Sequence, residues 1–204
     1  MNPNSLKSTV RAILDEGRGV LAADESTPTL TQRFTELDIA STEESRRDYR
    51  EMLFSGPGLG AFISGMILYD ETIRQKTKDG IPFPDAMAKA GIVPGIKVDT
   101  GAKDLAASPG EKVTEGLDGL RDRLAEYRVM GARFAKWRAV ITIGDGIPTD
   151  RCIYTNAHAL ARYAALCQEA DIVPIVEPEV TMDGDHTIET CYEVTERTLR
   201  VVFR

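Results

Sequence analysis

Two cations stand two residues apart in "FAKWR", Lys136 and Arg138, and two carboxylates stand two apart in "EPE", Glu177 and Glu179. Lys97 and Asp99 repeat the spacing in "IKVD", and "LAAD" ends on Asp24. On an extended strand successive side chains alternate faces, so residues i and i+2 share one. Each doublet therefore puts two charges on one side of its strand. A buried cation is costly unless an anion pairs with it. Glu177, Glu179, Asp24 and Asp99 are the expected partners of Lys97, Lys136 and Arg138. Crowded carboxylates resist joint ionisation, which raises one pKa and leaves an acid beside a base near neutral pH. A lysine crowded by other cations is pushed toward the free amine, a nucleophile able to form a Schiff base. The chemistry on offer is proton transfer and carbonyl chemistry on an anionic substrate. Residue types alone leave open which lysine, if either, is the nucleophile.

The doublets need strands to carry them. Short apolar runs at 17–24, 61–69, 93–99, 132–141 and 172–180 have the composition of buried strands. Pro178 removes a ladder donor, which suits a fraying strand end. Helical patterns lie between the runs. "TEESRRDYREMLFS" opens on Thr42 as N-cap with Glu43 and Glu44 in its first turn. "GLDGLRDRLAEYRVMG" aligns Leu117, Leu120, Leu124 and Tyr127 and stops at Gly131. "TNAHALARYAALCQEAD" aligns Ala157, Leu160, Ala161, Ala164 and Cys167. "TIETCYEVTERTLRVVFR" aligns Ile188, Cys191, Tyr192, Thr195, Leu199 and Val202.

Alternating strands and helices indicate an α/β fold with a parallel sheet. Five strands satisfy an open doubly wound sheet, or the first part of a (β/α)8 barrel. The last helix runs to Arg204 with no strand after it, and the expectation is a truncated barrel. In either architecture the site gathers at the carboxyl ends of the strands, where four charged clusters stand.

The chain of 204 residues carries a net charge of −7, which argues against a general binder of nucleic acid or anionic membrane. Its 42% hydrophobic and 28% charged residues are ordinary globular composition. Cys152, Cys167 and Cys191 show no metal-site or disulfide spacing and read as reduced thiols of a cytosolic protein. No signal-type leader and no membrane-length apolar run is present. "DGDH" at 183–186 precedes a helix and reads as capping, not as a metal site, and His158 reads as structural.

"GVLAADES", "GIKVD", "GLDGL", "FAKWR" and "IVPIVEPE", in this order, resemble class I fructose-bisphosphate aldolase from about residue 5 to the end. The resemblance implies a (β/α)8 TIM barrel of which about the first five βα units lie in this chain, as one incomplete barrel domain over residues 1–204. It implies reversible cleavage of fructose 1,6-bisphosphate to dihydroxyacetone phosphate and glyceraldehyde 3-phosphate through a lysine Schiff base. No metal or cofactor is implied. The implied setting is the cytoplasm, the implied pathways are glycolysis and gluconeogenesis, and the implied assembly is a homo-oligomer, commonly a tetramer. Asp24 matches the acid working at the cleaved bond and adjacent hydroxyl. Lys136 matches a lysine that stabilises charge and assists proton transfer. Glu177 matches the acid/base of carbinolamine formation and dehydration, and Glu179 the carboxylate beside the Schiff-base lysine. Lys97 and Arg138 match basic residues near the far phosphate, and Ser26, Thr29 and Arg33 its hydroxyls and arginine. Pro28 stands where the family commonly has Gly, which implies a stiffer loop. Neither Lys97 nor Lys136 matches the nucleophile, whose strand would follow residue 204. The alternatives are a non-catalytic half-barrel binding sugar phosphates or proteins, and a transaldolase-like barrel whose motifs fit less well.

Overall fold

The computed structural model describes residues 2–14 and 17–204. Strands β1 (Gly19–Ala23), β2 (Ile63–Leu68), β3 (Val93–Lys97), β6 (Phe134–Ile141) and β7 (Val173–Val180) form one parallel sheet in that order. A hairpin of β4 (Gly101–Asp104) and β5 (Lys112–Glu115) projects from the end of β3. The five apolar runs thus became the five strands. The hairpin escaped sequence reading because its four-residue strands are mostly polar. The strand order follows the chain without reversal, which is barrel topology and not the doubly wound alternative.

The sheet separates two cores. On the outer face Met66, Leu68, Ile96, Ala135, Trp137 and Ala139 pack against the helices. These helices include α3 (Glu43–Ser55), α4 (Asp70–Ile73), α5 (Phe83–Lys89), α6 (Leu120–Val129) and α7 (Asp150–Glu169), which contribute Phe54, Ile73, Phe83, Leu124 and Tyr163. On the inner face Ile67 and Phe134 meet Ile13 of α1 (Pro3–Ile13), with Val93, Val173 and Ile175 around them. Helix α1 therefore closes the bottom of a curled half-barrel. Phe134 lies over two glycines. A Cβ on Gly95 would fall 2.3 Å from its ring, and one on Gly65 3.1 Å. The aromatic floor of the site requires bare backbone at Gly95.

Local signals behave as their chemistry dictates. Thr42 caps α3, and its capping box closes on Ser45. Pro28 falls inside the first turn of α2 (Thr27–Thr35), where an amide has no helical partner to lose. Helix α6 begins only at Leu120, so Leu117 precedes it, and Gly131 follows with a φ of +107°. In α7 Ala161 is exposed, and Tyr163 is buried in its place. The stripe on α8 (Ile188–Val202) is largely uncovered: Ile188, Tyr192 and Leu199 are exposed, and Thr198 is the residue buried. Pro178 does not mark a frayed end, because β7 runs on to Val180 and the Thr181 amide still donates to the Ile141 carbonyl at 2.9 Å. The amides of Val173 and Thr181 point at β6. Pro178 has the opposite parity, so its missing donor falls on the sheet's free edge.

Candidate active site

The alternation read from "FAKWR" holds. Ala135, Trp137 and Ala139 are buried against helices, while Lys136 and Arg138 face the inside of the curl. Register then decides the neighbours. Lys136 stands opposite Lys97 on β3, and Arg138 opposite Glu177 on β7. Asp24 follows the end of β1, and the curl brings it to the same place.

The Lys136 ammonium donates to Asp24 Oδ2 at 3.1 Å and stands 3.5 Å from Glu177 Oε2. Arg138 forks onto Glu179, with Nη2 to Oε1 at 2.8 Å and Nε to Oε2. Lys97 pairs with Asp99 at 3.5 Å. Asp99 also accepts the backbone amides of Gly101 at 3.1 Å and Arg138 at 3.3 Å. It therefore fixes the turn into the hairpin, and it meets Arg138 through the backbone amide. Of the four expected anions, Asp24 and Glu177 answer Lys136, Glu179 answers Arg138, and Asp99 answers Lys97.

The protonation states follow. Burial opposes charge on Lys136, but Asp24 and Glu177 outweigh it and hold the lysine above its ordinary value. This overturns the expectation that crowding by cations would free the amine: the two carboxylates dominate its surroundings. Glu177 is pushed above the ordinary carboxylate range, first by burial and then by Glu179, with Lys136 opposing. Glu179 is held below it by the Arg138 hydrogen bonds. Two carboxylates on one strand are thus driven apart, one toward the acid form and one toward the anion, beside an ammonium held charged. Such an arrangement can donate and accept protons around a carbonyl carbon.

A second cluster lies at the start of α2. Ser26 is the N-cap, its Oγ 2.9 Å from Thr29 Oγ1. Arg33, one turn beyond Thr29, donates to Glu25 Oε1 at 2.6 Å. Glu25 also accepts from the Tyr49 hydroxyl at 3.2 Å. Arg50 of α3, 2% exposed, donates to the carbonyls of Ala23 at 2.8 Å and Glu25 at 2.6 Å. Asp24 lies between those two carbonyls, so Arg50 clamps the backbone that presents it. Sequence reading missed Glu25 and Arg50. Glu25 was signalled only by adjacency to Asp24, and Arg50 sits in a charged run that looks like a solvated face.

Comparison with known proteins places the chain in a family. Residues 5–204 match the family model described as fructose-bisphosphate aldolase class-I. A protein of Xanthomonas campestris pv. campestris named "probable fructose-bisphosphate aldolase class 1" is 64% identical over 203 residues, covering 100% of this chain and 61% of its own. An Arabidopsis thaliana protein named "fructose-bisphosphate aldolase 4, cytosolic" is 53% identical over 188 residues, 92% of this chain and 48% of its own. The structure of fructose-bisphosphate aldolase from Plasmodium falciparum, in complex with TRAP and a small molecule inhibitor, superposes with a TM-score of 0.96. It is 48% identical and covers 98% of this chain and 58% of its own. The chain spans about three fifths of the length of the bacterial relative. With the strand order, the charged strand ends and the family match in agreement, the chain belongs to the class I fructose-bisphosphate aldolase family.

Proposed function

We propose that the protein is a lyase that reversibly cleaves fructose 1,6-bisphosphate to dihydroxyacetone phosphate and glyceraldehyde 3-phosphate through a lysine Schiff base. The observation that carries this reading is the Lys136 ammonium held between Asp24 and Glu177. Glu177, with its raised pKa, delivers and withdraws the protons of carbinolamine formation and dehydration. Lys136 stays charged and stabilises negative charge as it develops. Asp24 acts at the bond being cleaved and at the adjacent hydroxyl. Glu179 stands as the carboxylate beside the Schiff-base lysine. Lys97 and Arg138 receive the far phosphate with Ser26, Thr29 and Arg33.

The Schiff-base lysine is neither Lys97 nor Lys136, and in this reading it belongs to the part of the family's length that these 204 residues do not span. These residues alone would then be inactive. No metal takes part. The protein works in the cytoplasm as a homo-oligomer, a placement supported by plant relatives named as cytosolic or cytoplasmic aldolases. Among the described residues no helix is long and apolar enough to cross a membrane. The test is steady-state cleavage of fructose 1,6-bisphosphate by the full-length protein with and without a chelator. Activity that survives chelation supports the reading, and no cleavage, or cleavage lost with metal, overturns it.

A further inference from the structure

Arg33 is assigned to a phosphate, yet its guanidinium already holds an anion, Glu25 Oε1, at 2.6 Å. The two ends of this ion pair differ. The Arg33 side chain is 56% exposed and the Glu25 side chain 12%. Glu25 has a second cation behind it: Arg50 Nη2 lies 3.3 Å from Oε2, with its side chain 2% exposed. Arg50 cannot turn away, because the same guanidinium is fixed by the carbonyls of Ala23 and Glu25. One cation of Glu25 is therefore exposed, and the other is buried and held in place.

Ser26, Thr29 and Arg33 lie on one side of α2, at the spacing of successive helical turns. A phosphate arriving at Ser26 and Thr29 meets the helix N-terminus, where backbone amides favour an anion. It then competes with Glu25 for Arg33. If Arg33 were the sole partner of Glu25, its departure would leave an uncompensated carboxylate beside a phosphate dianion. With Arg50 in place the carboxylate keeps a buried cation, and Arg33 can leave.

We propose that Glu25, backed by Arg50, is a positioning residue that holds Arg33 in reserve and releases it to the incoming phosphate. The inference rests on the aldolase reading for the identity of that phosphate. Glu25 then sets a threshold, since a ligand without this phosphate leaves Arg33 parked. Glu25→Gln keeps the size and the Tyr49 hydrogen bond but removes the competing charge.

The experiment uses the full-length protein and inorganic phosphate as probe, with calorimetric titration of wild type, Glu25→Gln, Arg33→Ala and the double variant. Glu25→Gln is expected to tighten phosphate binding about two- to fivefold, the range spanned by an exposed ion pair. The gain should vanish in the Arg33→Ala background. The same substitution should lower the KM for fructose 1,6-bisphosphate relative to that for fructose 1-phosphate. Weaker phosphate binding in Glu25→Gln, an equal change with and without Arg33, or no phosphate binding by the wild type would each overturn the proposal. The titration needs no turnover. A protein that binds phosphate as expected but cleaves neither sugar would refute the aldolase activity and leave the hand-over standing.

Discussion

Lys136 Nζ and Asp24 Oδ2 are 112 residues apart in the chain and 3.1 Å apart in space. Their strands, β6 and β1, are separated by β2 and β3. In a flat sheet that separation is about 14 Å. The contact exists because the sheet curls and both side chains point into the concavity. Curl and parity together turn four charged strand ends into one site.

Lys136 should resist covalent trapping. A lysine held above its ordinary pKa by two carboxylates is protonated at neutral pH, and an ammonium has no lone pair for a carbonyl. Reduction of the full-length protein with borohydride in the presence of dihydroxyacetone phosphate, followed by peptide mass mapping, should leave Lys97 and Lys136 unmodified and mark another lysine. An adduct on Lys136 would show that the site frees its amine.

Glu177 and Glu179 should affect stability with opposite signs. Glu177 holds its proton more tightly folded than unfolded. Its contribution to stability therefore falls as pH climbs from the ordinary glutamate range through its raised value. Glu177→Gln removes that loss, so the variant gains on wild type across this window. Glu179 has a lowered folded pKa, so its contribution is present above the ordinary glutamate value and lost as pH falls through the lowered one. Glu179→Gln should cost under about 1 kcal/mol at pH 7, since the pair is partly exposed, with the deficit closing toward acid. Urea unfolding of both variants from pH 2 to 7 is the check. Parallel curves would mean that the two carboxylates share one environment.

Binding and chemistry should separate between Arg138 and Glu177. With Arg138 in its proposed role at the far phosphate, Arg138→Ala loses a charge-assisted contact and should shrink the preference for fructose 1,6-bisphosphate over fructose 1-phosphate. Glu177→Gln should lower turnover by about 10²–10⁴ while changing substrate affinity little. Steady-state kinetics of both variants on both sugars decides. An equal loss on the two sugars for Arg138→Ala would remove Arg138 from the phosphate site, and retained turnover in Glu177→Gln would make that carboxylate structural.

The floor of the site should be intolerant of a methyl group. A Cβ on Gly95 would sit 2.3 Å from the Phe134 ring, which is fully buried and has nowhere to turn. Gly95→Ala should destabilise the protein by about 1–3 kcal/mol through overpacking. A second change, Phe134→Leu, should recover part of that loss. Chemical denaturation of the two single variants and the double variant measures the coupling, and strictly additive costs would rule out this contact as the cause.

Much of this molecule is written in local pattern. Period-two charge doublets placed Lys97, Lys136, Arg138, Glu177 and Glu179 on strands and on shared faces, because strand parity is a property of the backbone alone. Thr42 and Gly131 marked helix ends because capping and positive φ are settled within a few residues. Ordered motifs carried the family. Partner identity was not local. Asp99 turned to backbone amides and Lys97, the raised pKa of Lys136 came from Asp24 across the curl, and Arg50 proved buried although its helix reads as solvated. The hairpin of β4 and β5 gave no apolar signal, and the stripe of α8 gave one that the fold leaves largely uncovered. Sequence sets which face a side chain takes. The register between strands, the curvature of the sheet and the depth of burial set which charge stands 3.1 Å away, and these arise only when the whole sheet closes on its core.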